Sequence, residues 1–305
     1  MLDREQLETF ATVSELGSFD RAAMTLNLTR GAVSQRIKAL EESLATVLLV
    51  RDKPVRPTAH GETLLRHVRE LRLLEGALLK EMLPVQRQPG SVPVAIAVNA
   101  DSLIGWFAPI LTSLLLDTVL ALEIVSDDQD HTFARMARGE VMGCISSEAT
   151  ALPGFLVDSL GDMVYRCVAA PGFAQRAFPS GFDLQAVLGA PAILFDRKDG
   201  LHDDFLAEMF GFRIHRYVRN YIPSPHALFA AVCSGGGYGL VPESQAAPLL
   251  AHGGLVDLAP TRPKHVPLYW HRRDREVTLA SEITRRVVAQ ARLSLVQRTL
   301  AAAAA

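Results

Sequence analysis

Seven basic side chains, Arg21, Arg30, Arg36, Lys38, Arg51, Lys53 and Arg56, outnumber the neighbouring acids, Asp20, Glu41 and Glu42 among them. Lys and Arg at that density neutralise phosphates and release counterions, which gives nucleic-acid affinity without sequence preference. Sequence readers lie in the same stretch: Gln35 can pair bidentately with adenine, Ala32 can touch a thymine methyl, and Ser34 can bond a base edge or a phosphate. Gly31 lets the backbone approach closely, and Arg30 can reach a guanine or a phosphate. Lys38 lies on the same face. Arg51, Lys53, Arg56 and Thr58 follow in a Pro-containing loop suited to phosphate contacts.

These groups need a scaffold, and the spacing of apolar residues supplies one. Leu7, Phe10, Ala11 and Val13 recur as on one helix face; Ala22, Ala23 and Leu26 mark a short second helix. After the turn Asn27-Leu28-Thr29, with Thr29 as N-cap, Val33, Ile37, Leu40 and Leu44 follow at intervals of four, three and four. At 100° per residue, Gly31, Ala32, Gln35 and Lys38 then point away from the buried stripe. A short β segment at Val47 to Val50 and the basic loop complete a winged helix-turn-helix over residues 1–58. From Thr58 to Met82, Leu64, Val68, Leu71, Leu78 and Met82 mark an apolar seam that a second copy would cover, so residues 59–90 are expected to form a linker and dimerisation helix with a hinge at Pro84 to Pro93.

The chain has 305 residues, 49% hydrophobic and 21% charged, with a net charge of −2. That balance suits a well-cored globular protein whose nucleic-acid contacts are local, and excludes one coated in base. The amino end has no apolar signal core, and no run of about 18 apolar residues occurs, so the reading is cytoplasmic with no membrane contact. Cys144, Cys167 and Cys233 are odd in number and lack metal spacing; His202, His226, His265 and His271 likewise read as surface or structural. No cofactor or metal is expected, and Gly235 to Gly239 lacks the Lys-Ser/Thr of a phosphate loop. Without a nucleophile elbow, metal cluster or dinucleotide fingerprint, an enzyme is disfavoured.

Residues 91–300 alternate strand and helix. Strands are expected at Val92 to Val98, Leu120 to Val125, Met142 to Ser146, Val164 to Ala169, Ala192 to Phe195 and Pro267 to His271, with helices at Ser102 to Leu116, Thr132 to Arg138, Leu201 to Met209 and Pro225 to Cys233. The expected class is α/β with a mostly parallel sheet. The late return strand suggests two subdomains, about 91–163 with 267–300 and about 164–266, separated by a ligand cleft.

Residues 10–13, 17–19, 22–23, 32–41, Leu48-Leu49-Val50-Arg51 and Arg56 to Gly61 resemble the amino-terminal signature of LysR-type transcriptional regulators. Residues 97–102, Arg138 to Gly143 and Leu268-Tyr269-Trp270-His271 resemble its ArgP/LysG branch, which responds to basic amino acids. The sequence departs from the family pattern at Thr29-Arg30-Gly31, which weakens transfer of an operator sequence. The resemblance implies a periplasmic-binding-protein-like α/β sensor domain and a homodimer or homotetramer. Its implied partners are double-stranded promoter DNA, RNA polymerase and a basic amino acid such as lysine or arginine. A regulator of the same family sensing an unrelated small acid is the rival reading.

For a basic amino acid the site needs donors for a carboxylate and carboxylates for cations. The candidates sit at strand ends: Asn99, Asp101 and Ser102 after the first strand, Asp127 and Asp128 after the second, and Ser146 and Ser147 after the third. Asp196 and Ser224 occupy equivalent edges, and Trp106 would wall the aliphatic stem.

Overall fold

A computed structural model describes residues 2–82, 91–117, 120–126 and 129–297. Three helices open the chain: α1 (Arg4–Leu16), α2 (Phe19–Thr25) and α3 (Arg30–Ser43). Phe10, Ala11, Val13, Ala22, Val33, Ile37 and Leu40 close their common core. The wing is a two-stranded antiparallel ribbon, β1 (Leu49–Val50) against β2 (Arg56–Pro57). The 24-residue α4 (Ala59–Met82) leaves it. Gly61 is required there, because a Cβ would lie 2.1 Å from the Leu48 carbonyl oxygen.

Val68 is fully buried in the amino-terminal core with Leu65, which corrects its assignment to an open seam. The seam begins beyond it, where Leu71, Leu74, Leu78 and Met82 are exposed. Arg72 ties α4 to α1, its Nε donating to Glu8 at 3.0 Å and its Nη1 to Glu15 at 3.0 Å. Part of the expected hinge, residues 84–90, lies outside the described residues.

The rest is a layered α/β domain. Its elements are β3 (Val92–Ala97), α5 (Ala100–Ile104), α6 (Ala108–Leu115), β4 (Leu120–Val125), α7 (Gln129–Ala137), β5 (Gly143–Ser146) and β6 (Phe155–Ala169). Then come α8 (Pro171–Ala177), α9 (Leu184–Gly189), β7 (Ala192–Leu194), α10 (Leu201–Phe210), β8 (Arg219–Tyr221), α11 (Pro225–Cys233) and β9 (Tyr238–Pro242). The last are α12 (Glu243–Ala251), β10 (Val256–Asp257), β11 (Lys264–Arg273) and α13 (Thr278–Ser294).

The strands form one sheet in the order β4-β3-β5-β11-β6-β9-β7-β8, with β10 also on β6. Parallel pairs at the two ends flank antiparallel pairs around β6 and β11, so the sheet is mixed, which corrects the mostly parallel expectation. The reason is topological: β6 carries the chain out of the first half and β11 brings it back, so the two must run in opposite directions. Their pairing shifts register between Leu268 and Tyr269, beside Gly161 at φ 115°. A bulge there sharpens the local bend, and only glycine accepts that φ cheaply.

Two further expectations change. The helix expected from Ser102 to Leu116 is two, α5 and α6, interrupted at Gly105–Phe107. The strand expected at Val164 to Ala169 is the end of a 15-residue strand. The carboxy-terminal α13 covers the sheet with Leu279, Ile283, Val287 and Ala291, whose four-residue spacing the expectations omit although it is legible.

Candidate functional site

The exposed side of α3 follows from how the helix is anchored. The Thr29 hydroxyl accepts from Ala32 N at 3.1 Å, and Val33, Ile37 and Leu40 are buried. Arg30, Gly31, Gln35 and Lys38 are therefore exposed on the other side, with Ala32 and Ser34 half-buried between. Glu41 accepts from Leu48 N at 2.8 Å and pairs with Arg51 at 3.2 Å, which pins the wing beside α3. Arg51, Lys53 and Arg56 are exposed along the wing.

The ion pairs Arg30–Asp20 at 3.5 Å and Lys38–Glu42 at 3.6 Å are exposed, so they cost little to exchange for phosphates. Two basic-stretch residues are differently employed. Arg36 turns inward to Glu5 and Thr9. The Thr58 hydroxyl donates to Val47 O at 2.8 Å and accepts from Gly61 N at 3.1 Å, so its bonds start α4.

In the α/β domain a narrow cleft of about 30 Å³ lies where α5 faces β7, β9 and the start of α10. Ile193, Phe195, Leu228, Phe229 and Leu240 give it apolar walls, and Asp101, Asp199, His202 and Gln245 its polar groups. Asp101 arrives on α5 and accepts the Tyr165 hydroxyl at 2.7 Å. Burial pushes its carboxyl above the usual range against that hydrogen bond, and the Asp199 charge adds to the rise. Asp199 is raised too, by burial first and despite its bond from Leu201 N, with Asp196, Asp203 and Asp204 contributing. Two desolvated carboxylates in one cleft are chemically suited to a cation, whose charge would offset the cost of their burial.

Of the sequence-predicted sensor residues that the structure describes, only Asp101 lines this cleft. Asp196 turns the loop beneath it, accepting from Lys198 N and Asp199 N at 2.7 and 2.8 Å. Ser224 caps α11 through Ala227 N. Ser146 is buried and accepts from Glu148 N at 2.9 Å, while Ser147 is exposed. Ser102 is fully buried and accepts from Trp106 Nε1 at 2.9 Å. Trp106 itself borders a separate, wider pocket of about 710 Å³ with Met163, Glu243 and Leu295. Asn99 precedes α5 without a side-chain cap bond, and α5 offers a single short turn where a long helix was expected. Asp127 and Asp128 lie outside the described residues.

Asp199, His202 and Gln245 are the cleft residues that sequence reasoning missed. Asp199 stands three residues beyond Asp196 in the same loop, and of the two it is Asp199 that lines the cleft. His202, read as surface or structural, is 3% exposed and borders the cleft. Among the described residues no group of three or more His, Cys, Asp or Glu is arranged to hold a metal ion, and no helix is long and apolar enough to cross a membrane.

Comparison with known proteins places both halves. Residues 4–62 match the model of the bacterial regulatory helix-turn-helix protein, lysR family, and residues 92–292 match the LysR substrate binding domain. The chain is 39% identical over 294 residues to the HTH-type transcriptional regulator ArgP of Aeromonas salmonicida, covering 96% of this chain and 98% of that one. The crystal structure of ArgP from Mycobacterium tuberculosis superposes with a TM-score of 0.84 at 37% identity, covering 98% and 100% of the two chains. Full-length LysG from Corynebacterium glutamicum with bound effector Arg gives 0.76 at 30% identity, covering 97% and 100%.

Proposed function

The chain belongs to the LysR family of bacterial helix-turn-helix regulators, and on that premise we propose that it couples promoter binding to occupancy of the Asp101–Asp199 cleft by a basic amino acid. It is a DNA-binding transcriptional regulator and not an enzyme. The single observation that carries the ligand class is the pair of desolvated carboxylates, Asp101 and Asp199, lining one cleft. The distal cation of arginine or lysine supplies the charge such a pair lacks, and the apolar walls suit its aliphatic stem. The arginine bound by LysG of C. glutamicum, a relative at 30% identity, supports that chemistry over an unrelated acid, which two carboxylates would repel.

At the other end, Gln35 and its neighbours on α3 read bases, and Lys53 and Arg56 hold phosphates on the wing. The exposed Leu71, Leu74, Leu78 and Met82 of α4 meet a second copy, which sets two α3 helices on one DNA face. The assembly works in the cytoplasm, with RNA polymerase as its downstream partner.

The test is calorimetry of the full chain with L-arginine, L-lysine, L-histidine and L-leucine. Saturable binding restricted to basic amino acids and weakened about tenfold or more by Asp101→Asn or Asp199→Asn is the expected result, since a charge-assisted bond contributes roughly 1.5–3 kcal/mol. A chain that binds promoter DNA but none of the basic amino acids defeats the ligand assignment.

A further inference from the structure

His202 occupies the first turn of α10, 3% exposed, with both ring nitrogens buried and unpartnered among the described residues. Its ring is boxed on three sides: Tyr217 stacks on it at 5.7 Å, Tyr238 lies tilted at 5.3 Å, and Phe205 meets it edge-on at 6.5 Å. The box itself is tied down, since the Tyr217 hydroxyl donates to Asp203 Oδ1 at 2.6 Å and Arg219 pairs with the same oxygen at 3.0 Å. His202 also lines the cleft, together with Asp101, Asp199 and Gln245. A rigidly held, buried polar ring left without a partner is costly unless something else completes its bonding.

We propose that His202 is a specificity-determining residue of the effector cleft, whose ring nitrogen accepts an N–H of the ligand's distal cation while Asp101 and Asp199 supply the countercharge. The inference rests on the reading of this cleft as the effector site. Burial lowers the imidazole to about 4, against Asp203 and with Arg219, so the ring is neutral at physiological pH. A neutral imidazole keeps a lone pair for an incoming donor, whereas an imidazolium would repel the cation. Gln245, whose Nε2 is also buried without a partner, adds a donor to the same cleft. Three acceptors, two charged and one neutral, match the several N–H donors of an ammonium or guanidinium.

The experiment titrates L-arginine and L-lysine into the full-length chain and its His202→Phe, His202→Gln and Asp101→Asn variants, and follows the ring-nitrogen resonances of His202 by ¹⁵N spectroscopy. Phe preserves the aromatic packing and removes the acceptor; Gln restores one. The expected result is at least about a tenfold loss of affinity in His202→Phe with partial recovery in His202→Gln, promoter binding without effector unchanged, and a ring-nitrogen shift on arginine saturation in the unmodified chain. Unchanged affinity in His202→Phe beside a weakened Asp101→Asn overturns the role of His202 alone. If the unmodified chain binds neither amino acid, the reading of the cleft falls and this inference with it.

Discussion

Tyr165 of β6 donates its hydroxyl to Asp101 Oδ2 at 2.7 Å and so orients the carboxylate that α5 brings to the cleft. The bond opposes the burial that raises the Asp101 carboxyl. Tyr165→Phe removes it, and the carboxyl rises further. Because the charged form binds the cation, arginine affinity should fall as pH drops, and should begin to fall at a higher pH in the variant. Calorimetry at stepped pH checks this; identical profiles for the two proteins would break the assigned link.

The buried imidazole predicts a stability change with a definite sign. His202 falls from 6.5 to about 4 on folding, so below pH 6.5 the unfolded chain binds the extra proton. Stability from this group is full above 6.5 and is lost as pH falls toward about 4, at a slope approaching about 1.4 kcal/mol per pH unit. Asp101 and Asp199, with raised carboxyls, tilt the other way. The comparison with His202→Phe isolates the histidine: denaturant midpoints between pH 4 and 6.5 should decline less in the variant, and parallel declines would contradict the burial argument.

On α3 and the wing, base reading and phosphate holding separate by salt. Gln35→Ala should weaken operator binding by about 1–3 kcal/mol while leaving random DNA nearly unaffected. Lys53→Ala should weaken both and lower the slope of log affinity against log salt by about 1. Fluorescence anisotropy over a salt series measures each, and a change of slope in Gln35→Ala would place that side chain on a phosphate.

Leu78 is exposed on α4 in the single chain. Leu78→Glu should shift the assembly toward monomer and weaken a two-half-site DNA without altering arginine binding, as read by sedimentation velocity and calorimetry. An unchanged mass would put the subunit contact elsewhere.

The helix-turn-helix was legible because its signals are local. Capping by Thr29, the stripe Val33, Ile37 and Leu40, and the basic wing all act within a few residues of one another, and the structure keeps them. Arg36 and Thr58 escaped that logic: their polar ends are claimed by Glu5 on another helix and by the Val47 carbonyl across the wing.

The candidate cleft was legible only by rule of place. Ligands gather beyond strand ends, and that rule led to Asp101, to the loop after β7 and to the start of α11. Which side chains turn inward was decided by long-range contacts. Ser102 is taken by Trp106, Ser224 by its own helix, and Asp196 by its loop, whereas Asp199, although it also accepts from Leu201 N, and His202 line the cleft with Asp101.

By itself the sequence determined the helix-turn-helix with its wing, the exposed polar face of α3 and the α/β class of the second domain, since periodicity and capping are properties of neighbouring residues. Tertiary structure alone decided that β11 slots antiparallel between β5 and β6, and that Asp101 and Asp199, 98 positions apart in sequence, share one cleft. Pairing between distant strands and the desolvation of distant charges arise only when the chain closes on itself, and no local pattern encodes them.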